Sequence, residues 1–197
     1  MKKRPIVQSL LIAGSMVLSG AAFAVTPSAT MLGNTCAGCH GTNGSSNGPA
    51  TPSLAGISTE YFIDAMAEYK EGTRPSTIMT RIAKGYTDEE VKLMASFFAE
   101  KKLKSIDQGA NAKKARAGKK LHKKYCEKCH EDGGRSSEDD AGILASQMMP
   151  YLRATMQDFT SGGREMPKKM KKKVDNLKKS KGNKGMDQLI HYYGSQR

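Results

Sequence analysis

The sequence predicts an all-α fold of two tandem domains, each a small helical unit built around the same cysteine–histidine motif. Three observations carry that expectation. The 197-residue chain contains itself twice: Cys36, Cys39 and His40 recur 90 residues later as Cys126, Cys129 and His130, and a fixed internal offset marks a duplicated unit. The same offset aligns Leu54-Ala55 with Leu144-Ala145, Tyr61 with Tyr151 and Met66 with Met156. Near the ends it grows to 95, pairing Val91, Met94, Phe97 and Phe98 with Met186, Leu189, Tyr192 and Tyr193. Apolar residues recur at helical spacing, and no alternating pattern is long enough to be a strand.

Residues 1–24 read as a cleaved signal peptide and stand apart from the fold. Lys2, Lys3 and Arg4 precede a mostly apolar run from Ile6 to Ala22, and Ala22-Phe23-Ala24 offers a small-x-small cleavage site. No other stretch is long and apolar enough to cross a bilayer. A soluble, exported and, in a bacterium, periplasmic protein is expected. Export also removes nucleic acid as a partner.

The first domain is expected over residues 25–107. A short helix from about Pro27 leads into Cys36. A second runs from Thr59 to Glu71, with Phe62, Ala65, Met66 and Tyr69 on one stripe and Gly72 as its stop. A third begins after Thr87, whose Thr-Asp-Glu-Glu run is a capping box, and buries Val91, Met94, Ala95 and Phe98. The polar stretch from Ser105 to Lys114 reads as a linker. The second domain, residues 108–197, opens with a helix whose stripe is Gly118, Leu121 and Tyr125. Pro150 suits the first turn of the next helix, which reaches Phe159. The five extra residues that lengthen the offset fall between Lys168 and Lys184, read here as an exposed, basic loop.

Charge is uneven. Residues 25–107 hold 8 Lys/Arg and 9 Asp/Glu, whereas residues 108–197 hold 21 and 10. Such asymmetry suits two faces meeting different partners, although a charge run can also be a solvated surface.

Cys36-Ala37-Gly38-Cys39-His40 and Cys126-Glu127-Lys128-Cys129-His130 each fit C-x-x-C-H. Cysteines one helical turn apart can form thioethers to the two vinyl groups of one porphyrin, and the next residue then lies under the iron as its axial imidazole. A thioredoxin-like pair would need a βαβ setting. A zinc site would need the two pairs to converge, and a disulfide leaves the histidines unexplained. The motifs therefore point to two covalent haem c groups and to electron transfer. Haem would also staple domains too small for a large core of their own.

Candidate axial ligands on the other side are methionines. The first half has no spare histidine, and His122 and His191 read as packing or surface residues. Met66 and Met94 lie on core stripes, leaving Met79 in the loop from Pro75. In the second half Met166, followed by Pro167, and Met170 both lie in the corresponding stretch, and spacing leaves both open. The Met-Pro pair, which fixes the chain just past the ligand, favours Met166. Closing both axial positions with His and Met suits electron transfer rather than oxygen or peroxide chemistry.

The motifs resemble class I c-type cytochromes, and the duplication resembles their di-haem members. Asn34 to Thr42, Ser76 to Met79 with Arg81 to Tyr86, and Lys124 to His130 look like the cytochrome subunit of flavocytochrome c sulfide dehydrogenase. That resemblance implies a partner flavoprotein with covalent FAD that oxidises sulfide, with this chain taking the electrons singly and passing them to a soluble cytochrome. It carries over His40 with Met79, and His130 with the methionine of Arg164-Glu165-Met166. The chain itself has no nucleotide-binding glycine pattern, so flavin chemistry belongs to the partner. A free-standing carrier serving a terminal oxidase is the alternative. A haem enzyme such as a peroxidase would need an open iron.

Overall fold

The computed structural model describes residues 26–137 and 141–197; the expected leader lies outside them. In the first half, α1 (Ala29–Thr35) and α2 (Ala37–His40) lead through a 3-10 turn (Thr42–Gly44) and a long irregular segment to α3 (Thr59–Glu71), α4 (Met79–Ile82) and α5 (Asp88–Ala99). In the second, α6 (Ala112–Tyr125) and α7 (Glu131–Gly134) are followed by α8 (Met149–Ser161) and α9 (Lys168–Gly194). No strand occurs among the described residues, so the all-α expectation holds.

Local sequence explains the boundaries. Ser28, Ser58 and Asn111 side chains accept from the backbone N–H groups of Met31, Tyr61 and Lys114, capping α1, α3 and α6. At α5, Thr87 accepts from Glu90 N while the Glu90 carboxylate accepts from Thr87 N, the reciprocal capping box read from the sequence. Gly72 and Gly162 end α3 and α8 in the left-handed conformation, φ 79° and 82°.

In each half the opening and closing helices pack across one another, α1 on α5 and α6 on α9, with α3 and α8 against the closing helices. The approach is close. A Cβ at Gly33 would collide with the Phe97 ring, and one at Gly118 with the Gln188 carbonyl. One core gathers Leu32, Phe62, Met66, Val91, Met94 and Phe98; the other gathers Leu121, Leu152, Leu177, Leu189, Tyr192 and Tyr193.

The repeat is visible in hydrogen bonds as well as in residues. Leu54 N and Ala55 N donate to Gly44 O, and Leu144 N and Ala145 N donate to Gly134 O. Gly56 N donates to Phe98 O, and Ser146 N to Tyr193 O. The shared offset therefore fixes the same loop-to-closing-helix clasp in both halves.

Two expectations are corrected. The basic stretch from Lys168 to Lys184 is helical and not a loop. α9 is two helices joined at Gly182, whose φ of 58° and ψ of −157° break the helical run. Residues 183–194 match α5 shifted by 95, and 168–181 form an added helix. Lysine is a good helix former, and Val174 and Leu177 are buried, so the added helix has an apolar stripe to anchor it. The linker is also shorter than expected, because α6 already begins at Ala112. It is held in place by Gln108, whose Nε2 donates to Gln147 O at 3.0 Å and whose Oε1 accepts from Met149 N at 2.8 Å.

The halves meet through matched residues. Arg74, 5 % exposed, donates to the hydroxyls of both Tyr61 and Tyr151 at 3.0 Å. Arg74 and its repeat partner Arg164 both reach Glu68 Oε2, at 3.2 and 3.0 Å. The halves also meet where Ser53 N donates to Gln147 Oε1 at 2.8 Å and Gln147 Nε2 returns a bond to Ser53 O at 3.1 Å.

Candidate functional site: two haem-attachment motifs

In each half the opening helix delivers the motif. Cys36 continues the path of α1 into α2 with φ −81° and ψ −12°, and Cys39 N and His40 N donate to Cys36 O at 3.2 and 2.9 Å. Cys129 N and His130 N donate to Cys126 O at 3.1 and 3.0 Å in the same pattern. Each pair of sulfurs therefore lies one turn apart, with the histidine directly after the second.

All four cysteines are free thiols, Cys39 and Cys129 exposed, Cys36 and Cys126 half-buried. Burial pushes the Cys36 and Cys126 thiols up, which opposes the lowered thiol pKa of a reactive redox pair. Among the described residues no group of three or more His, Cys, Asp or Glu side chains comes together as a metal-ion cluster, so the two cysteine pairs do not converge as a zinc site requires.

His40 is buried, and its Nδ1 lies 2.8 Å from Pro52 O. A carbonyl can only accept, so Nδ1 carries the proton and Nε2 keeps its lone pair, the arrangement an axial imidazole needs. Burial lowers the pKa of His40, with the Pro52 bond partly opposing it, so the ring is neutral near pH 7. His130 is half-buried at the start of α7.

Met79 is the first residue of the one-turn α4 rather than part of a loop, and packs half-buried against the first core. Ile78 and Ile82, on either side of it, are 48 % and 38 % exposed. Apolar side chains left open beside a thioether fit the face of a porphyrin. Met166 lies in the irregular segment before α9 and Met170 in its first turn, both half-buried. Met66 and Met94 are core residues, as expected.

His122 and His191 are occupied elsewhere. His122 contacts Tyr193 and Glu127, and His191 Nδ1 accepts from Asn111 N at 3.1 Å. The sequence reading passed over Arg74 and Arg164, although both follow a helix-ending glycine at the same repeat position, a signal the 90-residue offset contained. It also passed over Glu127, inside the second motif, and Tyr193 as a hydroxyl-bearing neighbour of that motif.

Two helical units, each presenting C-x-x-C-H from the end of its opening helix, define a protein that holds two covalent haems. Comparison with known proteins agrees. Residues 27–102 match the family described as Cytochrome c, and residues 113–179 match Cytochrome C oxidase, cbb3-type, subunit III. The cytochrome subunit of sulfide dehydrogenase from Chlorobaculum tepidum is 50 % identical over 68 residues, 34 % of this chain and 61 % of that protein; this chain thus spans about three-fifths of that relative. Cytochrome c-554(548) from Halomonas halodenitrificans is 34 % identical over 33 % of this chain and 82 % of its own length. Cytochrome c4 from Azotobacter vinelandii is 26 % identical over 66 % of this chain and 69 % of its own. Among solved structures, reduced recombinant cytochrome c4 from Pseudomonas stutzeri superposes with a TM-score of 0.72 at 22 % identity, covering 87 % of this chain and 100 % of that one.

The chain belongs to the c-type cytochromes, and with two such domains it is a di-haem electron-transfer protein. Each haem c, when bound, supplies an iron that gains and loses a single electron. The chain's own residues would hold it: the cysteines of each motif would anchor one group, the Pro52 carbonyl fixes the orientation of the His40 ring, and Ile78 and Ile82 beside Met79 would shield the group from water.

Proposed function

We propose that this chain is the electron-accepting subunit of a sulfide dehydrogenase of the flavocytochrome c type. The observation that carries the reading is the 50 % identity to the cytochrome subunit of sulfide dehydrogenase from Chlorobaculum tepidum. An FAD-bearing partner subunit oxidises sulfide, and this chain passes the electrons to a soluble acceptor cytochrome. It is not itself the catalyst. It works in the periplasm after loss of residues 1–24, with residues 25–107 and 108–197 as its two haem domains. Cys36, Cys39, Cys126 and Cys129 hold the haems, and His40 and His130 are axial ligands.

Met79 completes the first axial pair. Arg74 N and Arg164 N donate to Glu68 O and Asp158 O respectively, so the 90-residue register reaches as far as Arg164. Continued onward, it sets Met79 opposite Lys169, next to Met170, and supports Met170 more than the Met166 favoured by the Met-Pro pair. Met166→Ala and Met170→Ala variants decide between them, because only loss of the ligand opens the second haem to cyanide.

The second reading is a free-standing di-haem carrier, favoured by the cytochrome c4 alignment that extends over 66 % of the chain. Gentle purification from the native source, followed by addition of sulfide, separates the two. A co-purifying flavoprotein with reduction of both haems supports the subunit reading. A lone di-haem chain that sulfide leaves oxidised overturns it in favour of the carrier.

A further inference from the structure

The two halves differ at one buried corner. In the first half Leu32, Ala37 and Phe98 occupy it. At the matching positions, 90, 90 and 95 residues on, the second half carries His122, Glu127 and Tyr193. The three polar side chains touch in sequence. His122, 1 % exposed, has its Nδ1 2.9 Å from the Tyr193 hydroxyl and its Nε2 2.7 Å from Glu127 Oε2. Tyr193 in turn pairs with the Cys126 sulfur, which in the mature protein is a thioether of the second haem. The Glu127 side chain is 44 % exposed. A line of carboxylate, imidazole, phenol and sulfur thus runs from solvent to the haem attachment.

Packing alone gives no reason for this line, since Leu32 and Phe98 fill the same space in the first half. Any one of the buried replacements alone would leave a polar group without a partner, at a cost of about 1–3 kcal/mol. Together they face one another, the Tyr193 hydroxyl at Nδ1 and the Glu127 carboxylate at ion-pair distance from Nε2, so the corner is built as a unit. Histidine is the side chain whose charge changes near neutral pH.

We propose that His122 is a proton-binding site coupled to the second haem, taking up a proton as that haem gains an electron and exchanging it with water through Glu127. The exchange balances: one electron arrives from the donor, one proton arrives from solvent at His122, and both leave on reoxidation. Added negative charge at the haem stabilises the imidazolium. The groups facing His122 are Glu127 from the motif, and Tyr192 and Tyr193 from α9, the Tyr192 ring centroid at 5.3 Å, with Cys126 reached through Tyr193. Beyond them Asp132 and Arg135 act on Tyr192, and Lys173 acts on Cys126. Burial lowers the His122 pKa below 6.5, with Glu127 pulling against it, so coupling belongs to the acid side of neutrality. The inference rests on haem attachment at Cys126 and Cys129 and is independent of the flavoprotein partner.

The test is a redox titration of both haems in the full di-haem protein across pH, with His122 followed by NMR. The second haem's potential is expected to rise as pH falls below about 6.5, with His122 titrating at higher pH in the reduced protein than in the oxidised. His122→Leu should remove that part of the pH dependence and leave the first haem's curve unchanged. The double variant His122→Leu/Tyr193→Phe restores the pair that the first half already packs, so its folding is safeguarded. A second-haem curve identical in wild type and both variants, or a His122 titration indifferent to redox state, overturns the proposal. A chain that carries only one haem overturns both this inference and the two-haem assignment, whereas an unmoved curve in a two-haem chain overturns the inference alone.

Discussion

At Met79 the chain sets a thioether at the head of a one-turn helix, between two exposed isoleucines. A methionine that served only as core filler would lie wholly inside the apolar cluster, as Met66 and Met94 do. Met79→Ala is therefore expected to lower the potential of the first haem, by part of the about 0.8 V range that axial ligands span, and to open that haem to cyanide. Redox titration and the optical response to cyanide check it, and an unchanged spectrum would exclude Met79 as ligand. At this scale the sequence was informative where chemistry demands fixed spacing, as in the C-x-x-C-H motifs. It was silent on the carbonyl of Pro52, because the loop that brings it to His40 has no periodicity to read. His122 read as a packing or surface residue; only its contacts with Glu127 and Tyr193 set it apart.

The helices were legible where end signals and apolar stripes agreed. α3 spans the expected Thr59–Glu71, and α5 begins at its capping box. Thr87→Ala should remove one half of that box and cost about 1 kcal/mol, lowering the midpoint of thermal unfolding by roughly 2–4 °C; calorimetry on the intact protein reads it. The added helix of α9 was missed for a physical reason. Its charge is so dense that the stripe of Met170, Val174 and Leu177, spaced at helical intervals, is easy to overlook. The counterpart stretch in the first half is also only a single turn, so the repeat gave a misleading template.

For the molecule as a whole, the repeat predicts two copies but not how they face one another. The interface uses residues one repeat apart: Tyr61 with Tyr151, which the sequence reading paired, and Arg74 with Arg164, which it passed over. Two guanidiniums share Glu68, and Gln147 bonds the Ser53 backbone in both directions. Gln147→Ala strips a buried amide of these bonds and should cost about 1–3 kcal/mol, with denaturant unfolding changing from one transition towards two. A single unbroken transition at the wild-type midpoint would show that the halves cohere without it. The charge asymmetry also acts at this scale. The second half, with 21 basic and 10 acidic residues, should dock an acidic acceptor, so the second-order rate of electron transfer to such a protein should fall as salt rises. Salt-independent transfer in stopped-flow measurements would mark the lysines as a solvated face only. The break at Gly182 has a further consequence for how this charge could change through descent. It makes the lysine helix a detachable cassette: whole turns can be added, trimmed or recharged on one side of the joint, while the aromatic pair Tyr192 and Tyr193 on the other side stays anchored over the haem motif.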